Sequence, residues 1–69
     1  MTEPARLRTL PRQARSQARI DAALDAAARL LVREGIEAVT TTRVAAEAGM
    51  AVGSVYRYFP DRAAILDTL

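Results

Sequence analysis

The 69-residue chain has no cysteine, no histidine and no lysine, and its only aromatic residues are Tyr56, Tyr58 and Phe59. Without cysteine there is neither a disulfide nor a thiolate metal site. With histidine and lysine also absent, the commonest general bases and nucleophiles are missing. No glycine-rich phosphate loop follows a strand-like run, and nothing around the carboxylates marks one as a catalytic acid. An enzyme is therefore not expected, nor is a metal or cofactor. Long apolar runs are lacking too. Ala26-Ala27-Ala28 and Leu30-Leu31-Val32 are broken by Arg29 and Arg33, far short of the roughly 20 apolar residues a membrane span needs. The N-terminus has arginines and prolines but no apolar core before a cleavage site, so no secretory signal is expected and the cytoplasm is the expected location. A chain this short forms one domain and buries only about 60% of its unfolded surface. Such a core rarely supplies more than roughly 3–5 kcal/mol, which makes a partner or a further domain plausible.

Charge is informative once it is placed along the chain. The formal balance is +2, too small to demand a polyanionic partner. Residues 1–20 carry Arg6, Arg8, Arg12, Arg15 and Arg19 against Glu3 alone, while residues 21–41 carry Asp21, Asp25, Glu34 and Glu37 against Arg29 and Arg33. Every basic residue is arginine, whose planar fork suits phosphates and guanine edges. The N-terminal run reads equally as a phosphate-binding arm or as a solvated tail.

Residues 1–15 are expected to form a flexible basic arm, because Pro4 and Pro11 stand among residues with no apolar period. From Ser16 the pattern turns helical. Ile20, Leu24, Ala27 and Leu31 recur on one helix face, with Ala23 and Leu30 widening it. Asp25 and Arg29 stand at the favourable i,i+4 spacing on the other side, with Arg33 beyond, as a solvated face. Gly35 supplies the stop, predicting a first helix over 16–34. Thr40 is placed to cap a second helix whose buried face is Val44, Ala45 and Ala48, and Gly49 ends it. A third helix is predicted from Val52 to Phe59, stopped by Pro60. Asp61 caps the start of a fourth, with Ile65, Leu66 and Leu69 on its apolar side.

Two short helices around a glycine-containing turn form a helix-turn-helix. Its demands are specific: Ala45 small under the crossing helix, Gly49 tolerant of positive φ, and Val44, Met50 and Val55 apolar to lock the pair. The fold class is all-α, a homeodomain-like three-helix domain over 16–60, with the helix-turn-helix over 40–59 and the start of a fourth helix over 61–69.

The stretch Ile20–Leu69 resembles the N-terminal domain of the tetracycline-repressor (TetR/AcrR-like) family. The resemblance is carried by Ala26-Ala27 and Leu30-Leu31 before Gly35, by Thr40-Thr41, Val44-Ala45 and Ala48-Gly49-Met50, and by Gly53-Ser54-Val55-Tyr56-Arg57-Tyr58-Phe59 with Asp61-Arg62. It implies a transcription regulator that binds double-stranded DNA, with the third helix in the major groove of a palindromic operator. Repression released by a small-molecule effector is the family's usual behaviour. The family's larger C-terminal domain, which binds effector and forms the homodimer, falls outside this sequence, so the chain alone is expected to be a weakly binding monomer.

Carried over position by position, the resemblance makes Thr40 the cap of the second helix and sets Thr42 near a base edge or phosphate. Gly53 and Ser54 open the recognition helix, Tyr56 and Tyr58 offer hydroxyls to phosphates, and Arg57 is suited to read guanine. Arg62 matches a basic position used on the DNA backbone. Two residues depart from the pattern. Ala51 replaces a serine that commonly caps the recognition helix, and Val52 replaces a frequent lysine, where it can pack on a thymine methyl. Val55 and Phe59 are expected in the core. The rival reading is a small helical protein-interaction module, since Tyr-Arg-Tyr also suits protein interfaces. Salt separates the two, because DNA binding weakens steeply with ionic strength.

Overall fold

The computed structural model describes residues 12–69, so the expectations for Arg6, Arg8 and the Arg12 side chain lie outside the described residues. Among the described residues, four α-helices follow one another: α1 (Arg12–Glu34), α2 (Thr41–Ala48), α3 (Val52–Tyr58) and α4 (Arg62–Thr68), with a 3-10 turn at Ile36–Ala38. No strand occurs among the described residues. No described helix is long and apolar enough to cross a membrane.

Helix α1 starts at Arg12, not 16. Residues 12–19 lack an apolar stripe, so periodicity could not reveal them. Arginine, glutamine and alanine are nonetheless good helix formers. The buried face is also rotated from the expected one. Ala23, Ala26, Ala27 and Leu30 are wholly buried, Ile20 and Leu24 flank them, and Leu31 lies outside the core. Alanine lets neighbouring helices approach most closely, so the alanines, not the larger flanking residues, mark the centre of contact.

The helix ends follow from local chemistry. Gly35 stops α1 with φ 95° and ψ 171°, an extended positive-φ conformation open essentially to glycine, rather than the left-handed helical one expected. The Thr40 hydroxyl accepts the Arg43 N–H at 3.1 Å and caps α2. Helix α3 stops at Tyr58, one residue early, because Phe59 before Pro60 takes an extended backbone. Asp61 accepts the Ala64 N–H at 2.9 Å and caps α4.

Leu30, Val39, Val44, Val55 and Ile65 are the largest fully buried side chains, each contributing about 1.5–3 kcal/mol by leaving water. They come from α1, the connection, α2, α3 and α4, so a single core fixes all four helices. Leu66 packs on that core, whereas Leu69 stays half exposed.

Candidate nucleic-acid interface

The geometry of α2 and α3 is set at the turn between them. Gly49 takes φ 70° and ψ 32°. Its N–H reaches the Ala46 carbonyl at 3.2 Å, and the Met50 N–H reaches the Ala45 carbonyl at 2.9 Å. This is a Schellman closure, in which a left-handed glycine lets two N–H groups satisfy the last carbonyls of the helix. Met50 then packs against the core, while Val44, Ala45 and Val55 are buried between the helices. All five positions meet the demands read from the sequence.

Helix α3 is preceded by Ala51, its N-cap position, which has an extended backbone and no side-chain cap. Only the Ala51 carbonyl serves the first turn, accepting from Ser54 at 3.0 Å and Val55 at 3.3 Å. With about 100° between successive residues, Val55 and Phe59 fall on the buried side. Val52 is 37% exposed and Tyr56 50% exposed, on one flank, while Gly53 and Arg57 face away from the core. Ser54 and Tyr58 lie half-buried on the other flank, toward α1. A Cβ added at Gly53 would meet nothing within 4 Å, so no contact inside the protein calls for glycine there. On α2, Thr42 is exposed, and the Thr40 hydroxyl is occupied as a cap acceptor.

Arg62 has a role that the sequence did not reveal. Its Nε donates to the Val39 carbonyl at 2.7 Å and its Nη2 to the Ile36 carbonyl at 2.8 Å. The guanidinium thereby ties α4 to the connection that leads into α2.

Arg29 and Arg33 also do more than form a solvated face. Arg29 leaves Asp25 and pairs with Glu47 of α2 at 3.1 Å, and Arg33 joins the same carboxylate at 3.0 Å. Arg33 and Arg43 share Glu34, at 3.2 and 2.8 Å. The two arginine hydrogen bonds, from Arg33 first and Arg29 second, hold the Glu47 carboxyl down to about 2. Glu34 is lowered likewise, by Arg43 first and then Arg33. This ladder staples α1 to α2. Contacts between residues 14 and 18 apart leave no periodic signal, although Glu47 is the sole acid in α2.

The α2–turn–α3 unit, with Thr42 and the outer face of α3 exposed and the inner face locked to α1, defines a helix-turn-helix DNA-binding domain. Residues 23–69 match the family described as bacterial regulatory proteins, tetR family. The chain belongs to that family and carries its DNA-binding domain. Comparison with curated proteins and with solved structures gave no match.

Proposed function

We propose that the chain recognises a specific operator, with α3 in the major groove and Thr42 at its edge. Contacts come from Val52, Gly53, Ser54, Tyr56, Arg57 and Tyr58, with Thr40 fixing the start of α2. The observation that carries this reading is the unfilled space over Gly53, beside exposed Val52, Tyr56 and Arg57. A surface open at its centre suits the close approach of a base-pair edge. Val52 offers methyl groups to a thymine methyl, and Tyr56 a hydroxyl to a phosphate. Arg62 acts from behind, holding the connection that sets the start of α2.

In the complete regulator, repression is relieved when a small molecule binds a further domain, and a cytoplasmic homodimer covers two half-sites. Those half-sites lie about 34–36 Å apart, or a multiple of that distance. Selection from a randomised duplex library tests the reading. The expected result is enrichment of one short consensus, bound more tightly than mixed-sequence DNA. Enrichment of no sequence would overturn it.

A further inference from the structure

Most of the described arginines are held by other groups of the chain. Arg29, Arg33 and Arg43 are held by carboxylates, and Arg62 by backbone carbonyls. Among the described residues, the side chains of Arg19 and Arg57 have no ion pair or hydrogen bond. These two are brought together although 38 positions separate them in sequence. Arg15, Ser16 and Arg19 of α1 and Arg57 and Tyr58 of α3 line one open cleft of about 370 Å³. Among the described residues, no carboxylate lines it.

The helix geometry explains the convergence. Arg15 and Arg19 stand one turn apart on the same face of α1. On α3, Tyr58 and Ser54 occupy the flank toward α1, and Arg57 is the next position outward. Its long side chain bends to that flank, away from the one that carries Val52 and Tyr56. The result is two forked cationic donors, Arg19 and Arg57, with two hydroxyls beside them, from Ser16 and Tyr58. This chemistry matches a tetrahedral anion, since guanidinium forks bind phosphate oxygens in pairs.

We propose that this cleft is a phosphodiester site that grips one backbone phosphate of DNA from both α1 and α3, and that Arg57 belongs to this grip rather than to base reading. The inference rests on the DNA-binding reading and deepens it. Half or more of protein–DNA hydrogen bonds fix register on the backbone without reading sequence. A grip that joins two helices fixes the angle at which α3 enters the groove.

Two measurements test it. The first is anisotropy titration of Arg19→Ala and Arg57→Ala against a selected duplex and a mixed-sequence duplex, over a range of salt. Each variant is expected to weaken both duplexes by the same factor. Each should also flatten the plot of log affinity against log salt by about 0.9. Loss confined to the selected duplex for Arg57→Ala, with an unchanged slope for Arg19→Ala, would overturn the grip and return Arg57 to base reading. The second follows arginine Nε–H resonances during titration with dimethyl phosphate at constant ionic strength. Arg19 and Arg57 should shift together while Arg29 and Arg33 stay in place. Absence of that joint shift would overturn the site. Joint shifts without binding to any duplex would overturn DNA as the occupant and leave an anion site, so the two readings fail separately.

Discussion

Gly53 is a helical residue without positive φ, and the space around its α-carbon is empty. Glycine there costs helix stability and gains nothing inside the chain. Gly53→Ala should therefore raise folding stability by about 0.5–1 kcal/mol, while an added methyl at the centre of the DNA-facing surface weakens binding on the order of tenfold, about 1.4 kcal/mol. Thermal denaturation and a binding titration on the same variant check both signs. Unchanged DNA affinity would remove the reason offered for this glycine. Single residues were legible in the sequence where their partner is near in the chain. Thr40 and Asp61 cap helices that start at the next residue, and Gly49 turns the chain where it stands. Arg62 was not legible, because the carbonyls it holds lie 23 and 26 residues earlier.

At the scale of elements, α3 is short and starts without a side-chain acceptor at Ala51. The extended backbone of Ala51 already suits a capping residue. Ala51→Ser places a hydroxyl near the N–H groups of the first turn, and is expected to stabilise the chain by about 0.5–2 kcal/mol. Slower amide exchange across Val52–Tyr58 and a higher melting temperature would register the gain. No change in either would mean that the first turn is already satisfied without a cap. The missing cap was visible in the sequence, as were the stops at Gly35, Gly49 and Pro60. The start of α1 at Arg12, the burial of Ala26 and the exposure of Leu31 were not. Periodicity weights large side chains, whereas here the small ones sit at the centre of contact.

Across the whole molecule, the ladder Arg29–Glu47–Arg33–Glu34–Arg43 makes the α1–α2 junction sensitive to acid. Both carboxyls are held below their ordinary 4.5, Glu47 at about 2. A carboxyl depressed in the folded state stabilises fully above its unfolded value, and that contribution fades as pH falls toward the folded one. Stability should therefore decline between about 4.5 and about 2, modestly, because Arg29 and Arg33 are about half exposed to screening solvent. Glu47→Gln should lower stability at neutral pH and flatten the decline, as followed by thermal melts across acid pH. An equally steep decline in the variant would locate the acid sensitivity elsewhere. The same junction rests on Ala23, Ala26, Ala27 and Ala45, all at or near zero exposure. Most protein interiors are weakened by truncation, which leaves a void. The alanines of this seam have almost nothing to truncate, so their vulnerability runs the opposite way, whereas Leu30, Val44, Val55 and Ile65 beside them remain open to ordinary truncation. Each added methylene must force helix backbones apart, at about 1–3 kcal/mol. The seam is brittle to enlargement where its side chains are smallest.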